Sequence, residues 1–98
     1  MSMSFDNENG NLVCTFPHRL DTEACTRLEP EIFGELENFN NSVVFDLSQV
    51  DYVSSLFLRI CLRVFKRFGA DKFSIVNVSP LVKKVFKIAG FDQGMKIT

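Results

Sequence analysis

Two short apolar runs constrain this chain more than any other feature. Ser42–Leu47 (SVVFDL) and Phe73–Val78 (FSIVNV) are each bounded by polar residues, and each leads through a serine into a helical pattern that a glycine closes. Runs of this length fit strands, and the short apolar stretch of the first suits a strand buried within a sheet. After the first run, Ser54 or Ser55 is the N-cap of a helix reaching about Phe68, and Gly69 stands where glycine ends helices. Arg63, Lys66 and Arg67 lie in its last turns, where cations suit the helix dipole. After the second run, Ser79 caps a helix that has Pro80 at its first position and Gly90 at its end.

The first forty residues add two short strands and one more helix. Asn11–Phe16 (NLVCTF) is β-branched and aromatic and reads as a strand, with Met3–Glu8 as a short strand before it. Asp21 caps a helix from Thr22 that presents Ala24, Leu28, Ile32 and Leu36 at four-residue spacing. Pro30 lies inside that helix, removing a backbone hydrogen bond and crowding the preceding turn, so a kink or break is expected near Glu29. Met95–Thr98 fits a last short strand. The order β-β-α-β-α-β-α, with that strand after it, implies parallel crossovers. The expected fold is α/β: a single domain over residues 1–98, with a mixed four- to five-stranded sheet covered by about three helices.

Composition narrows the function. The chain has 98 residues, enough for one core. Its eleven phenylalanines, with no tryptophan and one tyrosine, supply either a greasy core or an apolar surface patch. Residues 1–57 carry ten acids against two arginines, a net of −8, and residues 58–98 carry nine bases against two acids, a net of +7. An acidic helix packed beside a basic one accounts for the split. The bases are not interleaved with aromatics in a nucleic-acid motif, so no nucleic-acid partner is expected. No run is long enough to cross a bilayer, and the polar, acidic Met1–Gly10 is unlike a signal peptide. Cys14, Cys25 and Cys61 are odd in number and lack paired spacing, which points to reduced packing thiols in a cytoplasmic protein.

Catalytic signals are sparse. The sequence holds no phosphate-binding loop, dinucleotide fingerprint, metal-ligand spacing or nucleophile elbow, so neither cofactor nor metal is expected. His18, the one histidine, reads as a turn or surface residue, and Asp46 and Asp51 as turn residues. A small thiol or acid–base enzyme built on Cys14, Cys61 or His18 is a remote alternative.

Four segments together resemble the STAS domain family, of the anti-sigma-factor-antagonist kind. They are Leu20-Asp21-Thr22 at the first helix, VVFDLSQVDYVSS at residues 43–55, FSIVNVSPLVKKVF at residues 73–86, and Gly90-Phe91. The resemblance implies a protein-binding regulator and no enzyme. In that family a serine opening the second helix, within D-S-[ST]-G-L, is phosphorylated by a kinase that is also the anti-sigma factor. Laid on this pattern, the chain reads Ser54-Ser55-Leu56-Phe57-Leu58. Ser55 takes the phosphoacceptor place and Leu58 the leucine, whereas Ser54, Leu56 and Phe57 replace the Asp, Ser/Thr and Gly. His18 stands where glycine is common.

The resemblance implies an anti-sigma factor/serine kinase and a phosphatase as partners. Asp21, Val53, Ser54, Ser55 and Leu56 are then candidate contact residues, together with a helix edge formed by Phe57, Ile60 and Val64. The apolar arc of that helix spans roughly 200°, wider than a one-sided surface helix needs. A second reading keeps the fold but makes the chain a non-phosphorylated regulatory subunit of an ABC-type transporter's ATPase, with Phe57 as a constant apolar contact. A homodimer is a further candidate assembly.

Overall fold

A computed structural model describes residues 3–98; Met1 and Ser2 of the expected domain lie outside the described residues. Strands β1 (Ser4–Glu8) and β2 (Asn11–Thr15) form an antiparallel hairpin. Its two-residue turn, Asn9-Gly10, has both φ angles positive (56° and 84°), as a twisted hairpin requires. Helix α1 (Thr22–Leu36) follows, then β4 (Val43–Asp46), α2 (Ser55–Phe68), β6 (Phe73–Val76), α3 (Pro80–Ile88), a 3₁₀ turn at Phe91–Gln93 and β7 (Lys96–Ile97). Two-residue strands β3 (Arg19–Leu20) and β5 (Tyr52–Val53) pair with each other outside the main sheet.

The main sheet has five strands in the order β1-β2-β4-β6-β7, parallel except for the hairpin. Each crossover steps the same way across the sheet, so right-handed connections put all three helices on one face. Side chains alternate accordingly. Leu12, Cys14, Val43, Phe45, Phe73 and Ile75 are buried, whereas Val13, Val44, Ser74 and Val76 on the other face are only half-covered.

The phenylalanines go to the core. Phe16, Phe45, Phe57, Phe73 and Phe86 are fully buried, and none of the other six is exposed. Phe45 lies at the centre, edge-on to Phe16 and to Phe73 at 4.9 Å between ring centroids in each case. Phe57 adds a third edge-on contact, to Phe16 at 5.2 Å. Edge-to-face geometry adds to the burial of each ring.

Pro30 does not break α1, which runs unbroken from Thr22 to Leu36. The proline is exposed, so the Thr26 carbonyl that loses its donor faces water rather than the core. The charge split has the packing expected of it. Glu29 of α1 pairs with Arg59 and Arg63 of α2, and the Arg63 guanidinium stacks 4.0 Å over the Phe33 ring.

Candidate functional site

The β3–β5 pair joins the segments leading into α1 and α2. Arg19 lies opposite Tyr52 and Leu20 opposite Val53. The Asp51 N–H donates to the His18 carbonyl (2.9 Å) and the Ser54 N–H to the Leu20 carbonyl (2.8 Å). Two helix N-termini are thereby fixed side by side at one rim of the domain. Asp21 caps α1 through its carboxylate, which accepts the Ala24 N–H at 2.9 Å. Thr22, Ser55, Leu56 and Arg59 line a shallow depression there. The Asp21 segment and the Ser54-Ser55 segment, both candidate contact regions, thus lie together at this rim.

The two serines have opposite surroundings. Ser54 occupies the N-cap position of α2 but makes no side-chain cap; it is 8% exposed, and its hydroxyl lies 3.7 Å from the buried Cys25 thiol. Ser55 is the first helical residue and is exposed. Of the pair, only Ser55 presents a hydroxyl that another protein can reach.

The expected helix edge is corrected. Phe57, Ile60 and Val64 are almost wholly buried, as is Val53, so none offers a partner contact. The reason lies in the phase of the helix. At 100° per residue, Phe57, Cys61, Val64 and Phe68 cluster at the middle of the apolar arc, and Leu56 and Leu62 are its true edges. Half-buried Leu56 is thus the apolar residue of the motif that reaches the rim. The outward stripe is Ser55, Arg59 and Arg63.

Three rim residues escaped the sequence reading. Tyr52 is exposed with the Arg19 guanidinium 4.5 Å above its ring, and Arg59 follows Ser55 by one turn. The alternation of exposed Tyr52 with buried Val53, and the four-residue step from Ser55 to Arg59, were the available signals. A second depression beside α1 is lined by His18, Arg19, Asp21, Glu23 and Arg27, so the single histidine shares a surface hollow with two carboxylates. Asp46 has the turn role expected of it. It accepts the Ser48 N–H (2.9 Å) and the Asn77 amide (3.2 Å); partial burial works to raise its pKa, and these bonds outweigh it and hold the carboxyl below the usual value.

All three cysteines are inaccessible. Burial, with a smaller contribution from Glu35, pushes the Cys14 thiol from 9.0 up to about 12. Burial likewise raises Cys61 far above its ordinary value, and raises Cys25 against the opposing hydrogen bond to Ser54. Such thiols are poor nucleophiles, so the enzyme alternative loses its cysteines. Two results are expected. In the folded protein an aromatic disulfide reagent at mild alkaline pH finds no fast-reacting thiol, whereas in denaturant it finds three. Below pH 9 both folded and unfolded Cys14 keep the proton; from pH 9 towards 12 only the unfolded chain loses it, so the Cys14 contribution to stability falls across that window. Denaturant titrations along that pH series check the second.

Comparison with known proteins agrees with this architecture. The STAS domain family matches residues 2–98. A Bordetella bronchiseptica protein named as an anti-sigma factor antagonist, BtrV, is 30% identical over 93 residues, covering 93% of this chain and 80% of its own length. An anti-sigma factor antagonist from Mycobacterium paratuberculosis superposes with a TM-score of 0.88 at 21% identity, over 98% of this chain and 83% of that one. The antagonist SpoIIAA, unphosphorylated, superposes at 0.80 with 17% identity, over 99% of this chain and 88% of that one. Among the described residues no helix is long and apolar enough to cross a membrane. The strand order, the paired helix N-termini and the match along nearly the whole sequence lead to one assignment: the chain belongs to the STAS domain family and, within it, resembles the anti-sigma-factor antagonists.

Proposed function

We propose that the chain is a cytoplasmic partner-switch module, which docks an anti-sigma factor that is also a serine kinase and is released when Ser55 is phosphorylated. One observation carries this reading: Ser55 is exposed at the first position of α2, on the rim where the α1 and α2 N-termini meet, while its neighbour Ser54 is buried. The chain itself does no chemistry. The partner supplies ATP and Mg²⁺; the Ser55 oxygen takes the γ-phosphoryl group, ADP leaves, and the hydroxyl proton passes to a base of the kinase. A phosphatase returns the serine by hydrolysis.

The physics of the site supports a switch that acts on docking rather than on the fold. A phosphate adds roughly −1.5 to −2 charges at pH 7. At the α2 N-terminus the helix dipole favours that charge, so α2 survives it. A partner surface fitted to a neutral hydroxyl beside Thr22, Leu56 and Arg59 meets both bulk and charge. Incubation with the anti-sigma kinase of the same genome, ATP and Mg²⁺ is expected to add one phosphate at Ser55. The Ser55→Ala variant gains none and Ser54→Ala still gains one. Intact-mass and fragment spectra read this out, and a phosphate on Ser54, or none at all, sinks the reading.

The transporter-subunit alternative drew on the missing Asp and Gly of the motif and on Phe57 as a constant apolar contact. Phe57 is 1% exposed and packed against Phe16, which removes that contact.

A further inference from the structure

Helix α3 carries a second surface, which shares no residue with the Ser55 rim. Leu81 and Ile88 are 68% and 78% exposed and, with Tyr52, are the only exposed large hydrophobic residues among those described. They lie seven residues apart, two turns along one stripe of α3, with Lys84 between them. Beside this stripe, between α3 and the edge strand β7, runs a groove of about 900 Å³. Phe86, Ile88 and Ile97 supply its apolar lining, Lys83, Lys84 and Lys87 its cationic rim, and Asp92 the one acid that faces it. Among the described residues the only ion pairs are those of Glu29 with Arg59 and Arg63, so none of the three lysines is ion-paired, and Asp92 is the single acid set against three positive charges.

From this arrangement we infer that the α3–β7 groove is a docking site for an acidic amphipathic helix of a partner protein. Carboxylates of the partner would meet Lys83, Lys84 and Lys87, and its apolar stripe would cover Leu81, Ile88 and Ile97. Helix-in-groove recognition uses anchors at this kind of spacing. A second copy of the chain fits poorly. Two α3 helices facing each other oppose lysine to lysine, and the acidic outer face of α1, with Glu23, Glu31 and Glu35, exposes no large apolar side chain to fill the groove. The inference stands whether or not Ser55 is phosphorylated.

The test is an amide NMR titration of the full chain. The probe is a synthetic peptide of about fourteen residues, long enough to bias towards helix. It consists of leucine and glutamate, with leucines at i, i+3, i+4 and i+7; a control peptide has lysine for every glutamate. Saturable shifts are expected at Leu81–Ile88 and Ile97 with the glutamate peptide and not with the control. The double variant Lys83→Glu/Lys87→Glu and the single variant Ile88→Ser, all at exposed positions, should each weaken binding by about tenfold or more while thermal unfolding stays unchanged. Raising NaCl from about 50 to about 500 mM should weaken the wild type and leave the charge-reversed variant little affected. Equal binding of the lysine peptide, or shifts that map elsewhere, overturns the inference. So do shifts at Leu81–Ile88 that grow with protein concentration alone, which would mean self-association. Sedimentation with phosphatidylglycerol vesicles without peptide binding overturns it as well, since the surface would then be a lipid contact.

Discussion

Replacing Phe57 by glycine, the residue that the family motif carries at this place, is expected to cost the fold about 4–6 kcal/mol. Removing a fully buried phenylalanine side chain costs about 3–5 kcal/mol in lost transfer energy and residual cavity. Glycine inside a helix adds about 1 kcal/mol. Domains of this size are stable by only about 5–15 kcal/mol, so the variant lies at or near the point of unfolding. The cause is specific: Phe57 is 1% exposed, edge-on to Phe16 at 5.2 Å and 6.1 Å from Phe45, so its loss opens the centre of the aromatic core. Phe57→Leu, which keeps much of the volume, is expected to cost about 1–2 kcal/mol. Urea unfolding of the three proteins, followed by circular dichroism, separates a core residue from a surface one. A glycine variant as stable as the wild type would return Phe57 to the surface role that the sequence suggested.

Phe57 also shows where sequence reasoning went astray. The elements themselves were legible because their signals are local. Asp21 and Ser79 make the caps expected of them, Gly69 and Gly90 take positive φ at the two helix ends, and Val43–Asp46 and Phe73–Val76 are adjacent interior strands of the sheet. The phase of α2 was legible but misread. With Leu56 counted in the apolar arc, the 100° step already puts Phe57 and Val64 at its middle; leaving Leu56 out moved them towards an edge. Strands β3 and β5 were not legible. Two residues carry no periodicity, and their pairing depends on backbone bonds such as Ser54 to Leu20, which leave no mark on composition. Pro30 was read by its local cost, whereas its exposure lets water satisfy the carbonyl it leaves free.

Introducing glutamate at each of the two adjacent serines should give opposite results. At Ser55 the new carboxylate stands exposed in the first turn of α2, where the helix dipole contributes about 0.3–1 kcal/mol in its favour. Ser55→Glu should therefore melt at or slightly above the wild-type temperature. Its affinity for the kinase identified by the mass-shift assay should fall by about a hundredfold, since a charge misplaced in a fitted interface costs several kcal/mol. At Ser54 the side chain is nearly enclosed, with the Cys25 thiol 3.7 Å from its hydroxyl. A carboxylate there loses its hydration without a cationic partner, and several kcal/mol of stability should go with it. Calorimetric titration and thermal unfolding, run on both variants, test fold and docking separately. A Ser55→Glu protein that binds as tightly as the wild type would break the link between this rim and the switch. A Ser54→Glu protein of normal stability would mean that Ser54 is open to solvent, and the distinction between the two serines would fall with it.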